Sequence, residues 1–294
     1  MKKVLITGAN SFIGMSFEHY VNKNYSDAFS VDTLDMKNQE WINTDFSAYD
    51  VVFHVAGIAH SDSGKIPENK KALYYAVNTD LTIETAKKAK SEGVKQFIFM
   101  SSAIVYGESS KIGKSKMITA DTETSPANCY GDSKLQAEKG LLELEDDSFE
   151  VVILRPPMIY GEGCRGNYRT LSKYGRKLIL FPDVSNTRSM LYIDNLSDFI
   201  CLMIKNEERG IFHPQNKTYC STSQIVKAIA TVHNRKIYLL KGFTWALKLM
   251  SFAVPIVDKA FGSLAYDMKI SEYKDNYRVV ADFYDTIIKT EGLI

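Results

Sequence analysis

The chain has 294 residues, with 36 basic against 35 acidic side chains and 45% hydrophobic residues, enough for one large or two modest globular domains. A net charge of +1 gives no long-range field to gather nucleic acid, although a local basic cluster could hold a phosphate, and 24% charged residues exclude the disordered class. The opening MKKVLITG has too short an apolar run for a secretory leader, and Cys129, Cys164, Cys201 and Cys220 lack the spacing of a zinc site or disulfide framework.

The expectation is a cytoplasmic protein with reduced thiols and with no metal, nucleic-acid or membrane partner. Taken in order, short apolar and β-branched runs at 4–7, 29–35, 51–56, 96–101 and 151–155 predict strands, each bounded by turn residues. Apolar residues three and four apart predict helices at 12–21, 73–91 and 130–144. Strand, helix, strand in repetition implies parallel strands joined by right-handed crossovers, an α/β doubly wound sheet with ligands beyond the carboxyl ends of its strands. After Pro156 the alternation weakens. A Gly-rich turn at 161–166, a helix near 168–177, a short LILF run and helices at 193–206, 223–233 and 243–261 predict a smaller second lobe. The expected division is a cofactor domain over 1–160, joined by 186–212, and a substrate lobe over 161–185 and 213–294, with a cleft between them. The stretch 243–264 is interrupted by Lys248, Pro255, Asp258 and Lys259 before it could span a bilayer. It reads as an amphipathic helix against the core, with a membrane-surface helix as the alternative.

Directly after the first strand stand Gly8, Ala9, Asn10, Ser11, Phe12, Ile13 and Gly14. Gly8 can make the tight turn and Gly14 lets the helix lie close to the sheet. The helix N-terminus between them points N–H groups at an anion, naturally a dinucleotide pyrophosphate. Ser11 stands where a third glycine would ease the approach of backbone to phosphate. Asp35, at the end of the second strand, suits the acceptor that ribose hydroxyls need, and its charge repels a 2′-phosphate, favouring NAD over NADP. Asp32 is the alternative if the strand ends earlier.

Tyr130 and Lys134, at i and i+4, share one helix face. A phenol exchanges protons near neutrality only beside a positive charge, which Lys134 supplies. Ser102, at the carboxyl edge of the strand 96–101, can hydrogen-bond the same substrate oxygen.

With these residues the chain resembles the extended short-chain dehydrogenase/reductase family, in its nucleotide-sugar epimerase/dehydratase branch, over most of its length. The likeness rests on TGANSFIG, Asp35, Asp45 with Phe46, HVAG at 54–57, Asn78 in VNTDLT, MSSAIVYGE, Tyr130 with Lys134, LRPPMIYG at 154–161 and RSMLYIDNL at 188–196. It implies a Rossmann fold, NAD, a nucleotide-sugar substrate and a homodimer through two helices, here 73–91 and 130–144. By the same resemblance Ser102, Tyr130 and Lys134 are the catalytic set, and Asn78 supports them from its helix. Asp45 and Phe46 hold the adenine, Ala56 and Gly57 line the cofactor channel, and Pro157 and Met158 pass the nicotinamide. Arg188, with Asn167 as a further candidate, matches the groups that hold the substrate diphosphate.

Plainer readings stand beside these: Asn78 bridging helix turns, and Arg188 pairing with Asp183 or Asp194. His54, inside an apolar strand, reads as a core histidine, and His60, in a loop, has no assigned role. Glu143, Glu145, Asp146 and Asp147 read as a solvated helix end. The chemistry implied is hydride transfer at C4 of a UDP-hexose by a 4-epimerase. The alternatives are an NAD(P)H-dependent reductase of a UDP-4-keto sugar for surface polysaccharides and a non-catalytic NAD-binding regulator. Ser101, Ser102 and Ala103 stand where the 4,6-dehydratase branch resembles T-D-E, which argues against elimination of water.

Overall fold

Parallel strands need long crossovers, and the amphipathic helices between the apolar runs supply them. A computed structural model describes residues 1–58, 67–254 and 256–293. His60 lies outside the described residues. In chain order the first elements are β1 (Lys2–Thr7), α1 (Phe12–Asn24), β2 (Phe29–Leu34), β3 (Val51–His54), α2 (Glu68–Tyr75), α3 (Leu81–Ser91), β4 (Gln96–Met100), β5 (Met117–Ile118), α4 (Cys129–Leu142) and β6 (Glu150–Leu154). There follow β7 (Met158–Tyr160), α5 (Asn167–Lys177), β8 (Leu180–Pro182), β9 (Met190–Tyr192), α6 (Ile193–Lys205), β10 (Gly210–Phe212), α7 (Thr222–Val232), β11 (Tyr238–Leu240), α8 (Thr244–Ala253), α9 (Ile256–Phe261), β12 (Ala265–Tyr266) and α10 (Phe283–Thr290).

The chain divides into two compact units, one of residues 1–107, 124–156 and 196–214, the other of 108–123, 157–195 and 215–294. The first is built on a six-stranded parallel sheet in the order β10-β6-β4-β3-β1-β2. Because β1 lies between β2 and β3, the winding reverses there and crossovers leave in opposite directions, opening the carboxyl edge beside Gly8 and Ala56. The register sets Leu5 against Asp32 and Thr7 against Leu34, so Asp32 is mid-strand and Asp35 stands just past the end.

Strands covered on both faces must be apolar on both. On one face Leu5, Val52, Phe97, Phe99 and Ile153 pack against Ala86 and Ala89 of α3 and Ala137 and Leu141 of α4. On the other, Phe17 of α1 meets Phe53 of β3 edge-on, ring centres 5.1 Å apart.

The second unit holds three two-stranded parallel ladders, β5 with β12, β7 with β9 and β8 with β11. Pairing with β12 draws β5, and the segment 108–123 around it, into this unit rather than into the first 160 residues. Helix α7 opens on a capping box between Ser221 and Gln224. Gly175 lets α5 approach α7: a Cβ there would lie 2.7 Å from Ile229 Cγ2.

Two expectations change, and one strand is added. The helix expected over 73–91 starts earlier, at Glu68, and is interrupted by a π turn over Ala76–Asp80, an insertion that apolar periodicity does not register. The helix expected over 243–261 is two helices. Pro255 lies between them, and the residue before it, Val254, is out of the helical region at φ −133° and ψ 85°. The short β10 carries no period of its own and shows only as the partner of Val152–Leu154. Among the described residues no helix is long and apolar enough to cross a membrane.

Candidate active site

Gly8 has φ +112°, and a Cβ on it would lie 2.7 Å from the Ala56 nitrogen, so this turn admits only glycine. Asn10 follows in the left-handed region at φ 63°. Ser11 is the N-cap of α1, its Oγ accepting the Gly14 N–H at 3.1 Å. The serine that replaces a middle glycine thus fixes the start of the helix. The first-turn N–H groups of Phe12 and Ile13, which have no intrahelical acceptor, stand at the positive end of the helix dipole.

Asp35, beyond β2, accepts the Lys37 N–H at 3.0 Å, while Asp32 accepts from the Tyr49 hydroxyl at 3.1 Å. Asp45 is exposed, and hydrogen bonds from Ser47, helped by Lys88, hold its carboxyl below the usual range. Phe46 is fully buried, with Lys88 Nζ 5.0 Å above its ring, and its N–H donates to Glu92. The adenine pair expected from the resemblance is therefore an exposed carboxylate beside a core ring.

Helix α4 is started by Asn128, whose side chain accepts the Gly131 N–H at 3.0 Å. A Cβ at Gly131 would lie 2.9 Å from Ile104 O, so the helix passes close to the 3-10 turn over Ala103–Tyr106. Ser102 caps that turn and its side chain is hydrogen-bonded to Tyr130. Burial pushes the Tyr130 phenol above its ordinary value, and the Ser102 bond pulls it back. One turn on, Lys134 is buried, its Nζ donating to Met100 O at 2.9 Å and lying 4.6 Å from the Phe99 ring centre. Burial lowers it to about 8, opposed by the Glu138 carboxylate.

Gly57 borders the same group, since a Cβ on it would lie 3.0 Å from Asn78 Oδ1 and 3.2 Å from Lys134 Nζ. Asn78, wholly buried in the π turn, accepts the Ile58 N–H at 2.8 Å and donates to Ile58 O and Ser133 Oγ, each at 3.2 Å. It ties the segment after β3 to α4.

Sequence reading missed what lies behind Lys134. Glu138 accepts from Ser101 Oγ and from Arg155 Nε, whose two contacts are 3.1 and 3.2 Å. Arg155 Nη1 donates to the Tyr106 hydroxyl at 2.6 Å, and that hydroxyl meets His213 Nε2 at 2.8 Å. The signal was present: Tyr130, Lys134 and Glu138 recur every fourth residue on one helix face.

His54 is a core residue, as its strand implied. Thr82 Oγ1 donates to Asn78 O at 2.9 Å, so it accepts from His54 Nε2 at 3.1 Å, and Nδ1 accepts from Thr7 Oγ1 at 2.7 Å. Burial pulls this imidazole down to about 3.

The remaining candidates belong to the second unit. Met158 opens β7 opposite Met190 of β9, and Pro157 precedes it. Asn167 begins α5 after Gly166 at φ 84°. Arg188 Nη1 donates to the carbonyls of Lys259 at 3.0 Å and of Ala260 and Gly262 at 3.3 Å, and burial lowers its pKa. These partners are backbone at the end of α9 rather than Asp183 or Asp194.

A model of the NAD dependent epimerase/dehydratase family matches residues 4–214. The chain is 33% identical to a UDP-glucose 4-epimerase from Vibrio cholerae, over 91% of this chain and 88% of that protein. It is 29% identical to an N-acetyl-alpha-D-glucosaminyl-diphospho-ditrans,octacis-undecaprenol 4-epimerase from Escherichia coli O157:H7, over 80% of this chain and 73% of that one. In fold it matches a UDP-glucuronic acid 4-epimerase from Bacillus cereus, solved with UDP-glucuronic acid and NAD, at a TM-score of 0.74 and 20% identity over 99% of this chain and 100% of the other.

Proposed function

We propose that the protein is an NAD-dependent 4-epimerase of diphosphate-linked hexoses, from the premise that this chain belongs to the NAD dependent epimerase/dehydratase family. The observation that carries the reading is Tyr130 hydrogen-bonded to Ser102, with the Lys134 ammonium one turn along the same helix.

The residues fit NAD. Gly8 lets the turn after β1 close tightly against Ala56, the first turn of α1 offers N–H donors, and Asp35 stands at the strand end where ribose hydroxyls need an acceptor. We assign Gly8, Asn10, Ser11, Phe12, Ile13, Gly14, Asp35, Asp45, Phe46, Ala56, Gly57 and Asn78 to hold it, together with Tyr130, Lys134, Pro157 and Met158. Bound there, NAD supplies a hydride acceptor at C4 that can return the hydride to the other face of the sugar. Ser102 donates a hydrogen bond to the C4 oxygen, and Tyr130 takes and returns that oxygen's proton. The Lys134 cation stabilises the phenolate that takes this proton and that is restored when the proton is returned, strongly so in a buried site. Arg188 and Asn167 are assigned to the diphosphate, where remote binding energy orients the sugar.

The two relatives named above act on a UDP-sugar and on a polyprenyl-diphosphate sugar, and a hexose on a diphosphate is common to both. UDP-hexoses are the first substrates to test, and a protein using them with NAD works in the cytoplasm. The protein as purified should release NAD on denaturation. It should interconvert UDP-glucose with UDP-galactose, or their N-acetyl forms, without added cofactor. Turnover seen only as NADH or NADPH consumption with a UDP-4-keto sugar would make the protein a reductase and end the epimerase reading.

A further inference from the structure

The second unit carries an apolar face that its own core leaves bare. Trp245, Leu249 and Phe252 of α8 follow one another at four and three residues, which puts them on one stripe of the helix, and they are 65%, 62% and 84% exposed. Phe243 and Val254, at the two ends of the helix, are exposed as well. The helix is anchored from its other side, where Leu247 packs against Ile112, Val184 and Val257.

Around this stripe a chain of net charge +1 gathers positive charge. Residues 241–254 include Lys241 and Lys248 and no carboxylate, and residues 109–117 include Lys111, Lys114 and Lys116 and again none. The two segments meet at Gly113, where a Cβ would lie 2.9 Å from Lys248 Nζ. Lys111, Lys114, Lys241 and Lys248 are exposed, while Lys116 Nζ donates to Glu108 O at 2.8 Å. The next acid along the chain, Asp258, turns its carboxylate to the Ile112 N–H at 3.0 Å.

We propose that α8 docks this protein in the plane of an anionic lipid bilayer, with Trp245, Leu249 and Phe252 at the acyl boundary and the lysines among the phosphates. Ten residues are too few to cross, and a tryptophan-bearing stripe beside lysines is the pattern of a helix that lies in the interface. Charge selects this occupant over a second copy of the chain, because a two-fold contact through the face would set its lysines against themselves. Of the two readings the sequence allowed for this helix, the exposed stripe favours the membrane surface. The inference holds whatever the protein's reaction, and its test needs no substrate.

Of the two tryptophans Trp41 is buried, so emission changes on vesicle binding report Trp245. Vesicles of equal parts phosphatidylglycerol and phosphatidylcholine should shift that emission to the blue and carry the protein down on sedimentation. Raised salt should weaken both effects, and phosphatidylcholine alone should give neither. The double variant Leu249→Glu, Phe252→Glu should lower the bound fraction about tenfold. Its melting temperature should stay unchanged. The proposal is overturned if the anionic vesicles bind nothing, if the double variant binds as well as the parent, or if the parent is a dimer that the same substitutions dissociate.

Discussion

Burial raises the Tyr130 phenol, the neighbouring Tyr74 adds to that, and what offsets it is local: the hydrogen bond with Ser102. Removing the phenolic oxygen in Tyr130→Phe should lower kcat about a thousandfold while leaving bound NAD and melting temperature in place. Ser102→Ala should cost about a hundredfold. A Tyr130→Phe protein with full biological activity would instead revive the non-catalytic regulator. Lys134 has been lowered to about 8, so its cation is present below that pH and lost above it. The value of kcat/KM should therefore fall as pH rises through about 8. Glu138 is a positioning residue whose negative charge raises Lys134, so Glu138→Gln should move that limb to lower pH. The same substitution leaves the buried Arg155 guanidinium without its anion, a loss of about 3–5 kcal/mol that thermal or urea unfolding would read. The sequence alone named Tyr130, Lys134 and Ser102, because a phenol, an amine and a hydroxyl at those spacings serve one proton transfer. It missed Glu138 because a carboxylate on a helix face is ordinarily solvated, and only burial distinguishes this one.

Among the elements, the start of α1 shows how a departure from a motif acquires a reason. Ser11, a cofactor-binding candidate standing where a glycine would ease phosphate approach, is also the helix's N-cap. Ser11→Ala should therefore destabilise the protein by about 1 kcal/mol and Ser11→Gly by only a few tenths, read as shifts in the urea midpoint. The π turn over Ala76–Asp80 was hidden for a different reason: one extra residue in a turn leaves the apolar pattern intact on both sides. Asn78 was nonetheless singled out by its motif, and the turn delivers its amide to Ile58 and Ser133. In α8 periodicity located a helix but not the side it hides. Its stripe of Trp245, Leu249 and Phe252 has the spacing of a core face and stands exposed.

For the whole molecule, the first unit is assembled from three separate stretches, and its sixth strand arrives only at Gly210–Phe212. A chain ended at Glu208 would leave the edge of β6 unpaired along Val152, Ile153 and Leu154, all fully buried in the intact protein. Such a truncation should aggregate rather than yield a soluble cofactor domain, which size exclusion would show, whereas a monodisperse product would mean β10 is dispensable. The doubly wound sheet was legible in the sequence because buried parallel strands are continuous apolar runs and their crossovers carry a 3.6-residue period. The candidate residues at its carboxyl edge were legible for the same reason, since the loops after β1, β2 and β4 must open on one side. Partnerships between residues far apart in the chain were not legible. The binding of Arg155 to Glu138, the closing of α9 by Arg188, the pairing of β5 with β12 and the exposure of α8 each depend on which surfaces meet. Local pattern tells which face of an element is apolar, and only the tertiary structure decides what covers it.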